Sequence, residues 1–136
     1  MTRRPPVAGL TLVALLAPTI LAACGAGASN DPNAPVIVTF EVVDERYKVL
    51  LTQAADIQTA RQLLDGADVP SIPNGRIVHE TGVNEGYSWS IDPDDIEFAD
   101  VTVEECDGLP SDVETGVTGD RYCPWAATVI GIDPAG

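Results

Sequence analysis

Apolar and polar residues alternate from Val36 to Leu51, and the phase of that alternation is the first structural signal in the chain. Val38, Phe40 and Val42 share one face of an extended segment, with Thr39 and Glu41 opposite, because successive side chains on a strand point to opposite sides. Asp44-Glu45 can turn the chain, after which Tyr47, Val49 and Leu51 alternate again. A hairpin results, or one continuous strand with a bulge. From Gln53 to Leu64 the period changes: Ile57, Ala60, Leu63 and Leu64 fall on one helical stripe, with Gln58, Arg61 and Gln62 elsewhere. Thr52 is placed to cap the start of this helix and Gly66 to end it. A loop holding Pro70 and Pro73 leads to a short strand, Gly75 to His79, and then to a polar turn, Glu80 to Gly86.

In the second half, Tyr87, Trp89 and Ile91 alternate with Ser88 and Ser90, which predicts a strand with its large residues inward. Asp92-Pro93-Asp94-Asp95 reads as a turn with proline at its second position, and Ile96 to Glu105 as the returning strand. That strand carries a conflict. Ile96 and Phe98 are out of phase with Val101 and Val103, so a regular strand cannot keep both pairs on one face. A bulge near Ala99–Asp100 is expected, or a strand buried on both faces. Asp107 to Asp120 is a long polar loop, and Trp125 to Ile132 a final strand. The order of elements predicts a single α+β domain over residues 36–136, mostly antiparallel sheet with one helix packed on one face and one disulfide.

The region before this domain has a different pattern. Arg3 and Arg4 precede an almost wholly apolar run, Val7 to Ala23, which ends in Leu21-Ala22-Ala23-Cys24. The order resembles a bacterial lipoprotein signal, in which residues 1–23 are removed and Cys24 is acylated. A retained transmembrane helix is disfavoured, since the run is short for a span and contains Pro18. Gly25 to Pro35 has the composition of a flexible linker, so residues 24–35 are expected to be a lipidated tether. The expected location is the extracytoplasmic face of the cell membrane.

Charge narrows the partners. The chain has 21 acidic and 7 basic residues and a formal net charge of −14. Loss of residues 1–23 removes Arg3 and Arg4 but no acid, which leaves the rest more acidic still. Such a surface repels nucleic acid and anionic headgroups, so contact with the membrane is expected only through the lipid, and nucleic acid is not expected as a partner. With Cys24 acylated, Cys106 and Cys123 remain as an even pair in an oxidising compartment and are expected to form a disulfide.

Catalytic signals are weak. Gly86-Tyr87-Ser88-Trp89-Ser90 lacks the second glycine of a nucleophile elbow, and Ser88 falls in a strand. His79, the only histidine, is expected to pack or to lie on the surface. Asp92, Asp94, Asp95 and Glu97 crowd one turn and could supply calcium ligands, although their spacing is not that of an EF-hand loop. Glu104, Glu105 and Asp107 form a second acidic group, which pairing with Arg121 or Arg76 would neutralise. Trp89 and Trp125 are both expected in the core, where large aromatic rings gain most from burial.

Several motifs occur in a familiar order. They are Gly75-Arg76-Ile77, the run from Tyr87 to Pro93 with Trp89-Ser90 inside it, Val103-Glu104-Glu105-Cys106-Asp107, Val113-Glu114 and Cys123-Pro124-Trp125. The helical Ile57-x-x-Ala60-Arg61-x-Leu63-Leu64 belongs with them. Over residues 36–132 the set resembles the N-terminal domain of the cyclic-AMP-inducible secreted protein family. The resemblance implies an exported domain with a Cys106–Cys123 bridge, and it implies no activity. The family's pattern continues to a histidine where this chain has Asp92, so no role for that histidine carries over. The expected function is a non-enzymatic binding or structural role in the cell envelope, without a cofactor and with an envelope protein as partner. The alternative is a calcium-dependent binding module using the 92–97 turn.

Overall fold

The computed structural model describes Gly9 and residues 30–136. The expected signal, the expected lipidation site Cys24 and the expected tether up to residue 29 lie outside the described residues. Ahead of the first strand, Asp31 Oδ1 accepts the Asn33 N–H at 2.9 Å and closes a small turn.

Two three-stranded antiparallel sheets form the domain. The first has the order β2-β1-β6 and the second β4-β3-β5. β1 (Val36–Val42) and β2 (Glu45–Leu51) make the predicted hairpin. Phe40 faces Tyr47 and Val38 faces Val49, so both apolar sets fall on one face, and these four side chains are fully buried or nearly so. The turn is Val43-Asp44, one residue earlier than expected. Val43 has a φ of 61° and is 72% exposed. A β-branched residue is strained in this left-handed region, where its Cβ crowds the backbone. Val43→Gly is therefore expected to stabilise the protein, raising the melting temperature by about 4–8 °C for each kcal/mol of strain relieved; an unchanged or lower melt would show that the turn carries no strain.

Helix α1 spans Ala54–Leu64. Gln53 rather than Thr52 stands at its N-cap, with no side-chain cap bond. The Thr52 hydroxyl reaches the Pro93 carbonyl instead, at 3.4 Å. The C-terminus ends as predicted on Gly66, at φ +82°, where Gly66 N–H bonds to Leu63 O and Ala67 N–H to Gln62 O. Ile57 and Ala60 are buried against the sheets and Leu63 packs beside them, whereas Leu64 lies outside the buried stripe, 44% exposed. The helix packs mainly on β6 (Ala127–Pro134).

The second sheet departs from expectation. β3 covers Ile72–Val78 and β4 Ser90–Ala99. No hairpin turn occurs at Asp92–Asp95. β3 pairs with both halves of β4: Gly75 faces Ile96, and two residues later Ile77 faces Ile91. The four intervening residues bulge out of a strand that keeps its direction. Pro93 suits that position because it has no N–H for the ladder, and Asp92 Oδ1 accepts the Asp94 N–H at 2.9 Å. Gly75 suits its position too, because a Cβ there would collide with Ile91. The bulge moves the change of phase from Ala99–Asp100 to Asp92–Asp95, and it buries both Ile91 and Ile96. β4 ends at Ala99. The expected strand through Glu105 is instead an extended segment followed by a 3₁₀ turn, Glu104–Cys106. The polar loop that follows contains a short helix, α2 (Pro110–Glu114), before β5 (Arg121–Tyr122). Cys106 and Cys123 are disulfide-bonded, with Cα atoms 5.0 Å apart.

One core serves both sheets. Six of the seven aromatic residues form a connected cluster: Phe40, Tyr47, Phe98, Trp89, Tyr122 and Tyr87, with ring centroids 5.2–6.2 Å apart. Beside it, Asn84 is 1% exposed and joins β2 to Trp89, the residue that leads into β4. Its Oδ1 accepts the Lys48 N–H at 2.9 Å, and its Nδ2 donates to the Trp89 carbonyl at 3.0 Å. Asn84→Leu would leave both backbone groups without partners, at an expected cost of about 2–3 kcal/mol in denaturant unfolding. A loss well under this would mean that water replaces the amide.

Candidate partner-binding surface

β1 carries the chain from Pro35 to Val43, roughly 20–25 Å at the rise of an extended strand. β6 runs back beside it, with Ala127 opposite Val42 and Pro134 opposite Val36. The domain therefore has an N-terminal end, with Pro35 and Pro134, and a far end, with Val43 and Ala126. The disulfide belongs to the far end: Cys123 N–H bonds to Cys106 O at 2.7 Å, and two residues on, Trp125 N–H bonds to Asp107 Oδ1 at 2.8 Å.

Trp125 corrects a sequence expectation. Trp89 is core at 1% exposure, but Trp125 is 45% exposed. The buried pair Cys123 and Pro124 takes the core position, and the chain then turns outward. The indole Nε1 donates to Thr102 Oγ1 at 2.7 Å, which ties the ring to the extended segment after β4. Val101 and Val103, on either side of Thr102, are 84% and 62% exposed. Three large apolar side chains thus stand within one residue of a single hydrogen bond, on a segment whose Val103 carbonyl also lies 3.3 Å from the Cys106 sulfur. The expectation that Val101 and Val103 face inward is overturned as well, because the strand that would have buried them ends at Ala99.

Next to Trp125 is a groove of about 210 Å³. Its walls include Val42, Val43, Leu109 and Ala126, with Asp107 and Asp112. Each carboxylate uses one oxygen on the backbone: Asp107 Oδ1 on Trp125 N–H, and Asp112 Oδ2 on Leu109 N–H at 2.8 Å. Between Asp100 and Asp120 every charged side chain is acidic. Among the described residues neither Arg76 nor Arg121 pairs with Glu104, Glu105 or Asp107, contrary to the sequence reading.

Those arginines lie across the acidic bulge. Arg76 bonds to Asp92 and sits 3.4 Å from Asp95, while Arg121 Nη1 donates to both Asp95 oxygens at 3.1 Å. Asp94 and Glu97 are exposed. Among the described residues no group of three or more His, Cys, Asp or Glu side chains is arranged to hold a metal ion. His79 is exposed just after β3. The Ser88 hydroxyl donates to Glu114 Oε1 at 2.7 Å, and its backbone N–H bonds to the same carboxylate. On the nearby core wall, burial raises the Tyr87 phenol above its ordinary range, and the Glu45 charge adds to this. Among the described residues no helix is long and apolar enough to cross a membrane.

The sequence reading did not select Val43, Val101, Val103 or Asp112 as site residues. Two signals were present: Val43 follows Val42 and breaks the alternation of β1, and Val101 and Val103 are out of phase with Ile96.

Fold and surface together define a small disulfide-linked α+β domain with an apolar, acid-rimmed end opposite its N-terminal connection. Residues 34–136 match the family model of the BP-74 N-terminal domain, and the chain belongs to that family. No curated protein and no solved structure matches it.

Proposed function

We propose that this chain is a lipid-anchored domain on the extracytoplasmic face of the cell membrane that binds an envelope protein without catalysis. The supporting observation is the exposed Trp125–Val101–Val103 surface, held by the disulfide and by the two Trp125 hydrogen bonds. Large apolar side chains fixed in an exposed position are typical of interaction sites, since a rigid aromatic ring loses little entropy on docking. The anchoring part rests on Leu21-Ala22-Ala23-Cys24, and the surface lies at the end of β1 opposite Pro35, on whose side the anchoring segment would join.

Two experiments test the reading. Cys24→Ala should release the protein from the membrane fraction; retention there would overturn the anchor. A photo-crosslinking residue at Val103 should give a discrete adduct in intact cells, and one at the exposed helix position Gln58 should give none. Equal yields at the two positions, or no adduct at Val103, would overturn the binding surface. The calcium-dependent alternative has weaker support, because Asp92 and Asp95 already face arginines.

A further inference from the structure

We propose that the groove between the β1–β2 tip and the Asp107–Asp112 loop receives a single arginine side chain of the partner protein. This rests on the binding-surface reading above and names what that surface recognises. At about 210 Å³ the groove is smaller than the roughly 300–1,000 Å³ of small-molecule sites, and its size suits one long side chain. Its apolar walls, Val42, Val43, Leu109 and Ala126, match the aliphatic stem of such a residue. Asp107 and Asp112 supply the opposite charge, and each has one oxygen not engaged by the backbone. The guanidinium carries five donors in a planar fork and is more weakly hydrated than an ammonium, which favours arginine over lysine beside hydrocarbon. Charge argues against the other occupants. A second copy of a chain with net charge −14 would bring acid against acid, and an anionic lipid surface would be repelled equally.

A polybasic probe would adhere anywhere on so acidic a surface, so the test uses a monovalent one. The processed protein, purified in detergent and labelled with nitrogen-15, is titrated with millimolar Nα-acetyl-arginine amide at about 0.15 M salt, where distant charges are screened. The amide signals of Val43, Asp107, Leu109, Asp112 and Ala126 should shift, and the citrulline counterpart, of the same shape but uncharged, should leave them in place. In the double variant Asp107→Asn/Asp112→Asn, the amide oxygens can still accept the two backbone N–H bonds. An unchanged melt would verify the fold, and affinity should fall about tenfold or more. An equal response to citrulline, shifts spread across the acidic surface, or undiminished binding by the double variant would overturn the proposal. If a Val103 adduct persists while arginine fails, the groove assignment falls and the binding surface stands. If arginine binds but no adduct forms at Val103, the reverse holds.

Discussion

Replacing Trp89 with alanine should cost about 3–5 kcal/mol, while the same change at Trp125 should cost only about 1–2 kcal/mol. Trp89 is 1% exposed and touches Tyr47, Tyr87 and Tyr122, with ring centroids 5.4–5.8 Å away. Its carbonyl also holds Asn84, so truncation opens a cavity beside the amide that links it to β2. The surrounding rings are fixed by strands on both sides and have little room to collapse, which places the loss toward the upper part of the range. Domains of this size are stable by only about 5–15 kcal/mol, so the variant should melt far lower or fail to accumulate. Trp125 is nearly half exposed, so truncation removes only partial packing and one surface hydrogen bond. Denaturant unfolding of the two variants checks the contrast. Similar losses for both would mean that Trp125 is a core residue in solution, and the proposed binding surface would lose its anchor.

That contrast marks where the sequence is legible. The β1–β2 hairpin, α1 and its Gly66 terminus follow from strong local periods and from glycine's tolerance of positive φ, and all appear close to their expected places. The disulfide follows from cysteine arithmetic. The Asp92–Asp95 segment shows the limit of local signals. Its proline and Asx bond say that the chain bends there, but whether it reverses or only bulges depends on whether a neighbouring strand pairs with both halves. β3 does so because Gly75 leaves room for Ile91, a fact about two segments about twenty residues apart. The same displacement explains the candidate site. Once Ile91 and Ile96 reach one face within β4, nothing inside remains for Val101 and Val103, and they emerge beside Trp125. Their phase conflict is visible in the sequence, but the side on which it resolves is set by packing. The two tryptophans look alike in composition. What separates them is position: Cys123 and Pro124 fill the core beside the bridge, and Trp125 follows them at the surface.

Above about pH 10, stability should fall by about 1.4 kcal/mol per pH unit for each of Tyr47 and Tyr122, and so by about 2.7 kcal/mol per unit for the two together. Burial pushes the Tyr47 phenol well above its ordinary value. For Tyr122 burial is again the main cause; a phenolate on Tyr47 would oppose its ionisation, and the charges of Glu45 and Asp107 raise it further. The sign follows from proton counts. In the unfolded chain both phenols ionise near their ordinary value, whereas the folded protein keeps them protonated. Between the two values the unfolded state binds fewer protons, so the contribution is complete below the unfolded value and is lost as pH climbs toward the folded ones. Tyr87, half exposed beside Glu45, adds little because solvent screens it. Unfolding measured from pH 8 upward should be level at first and then steepen. Tyr122→Phe gives up the hydroxyl bond to Gly108 O, at 3.0 Å, and should be somewhat less stable at neutral pH. Above about pH 10 it should fall half as steeply, since only Tyr47 then titrates. A slope that the phenylalanine variant leaves unchanged would place the alkaline loss elsewhere, and would mean that the Tyr122 phenol is hydrated rather than sealed between the sheets.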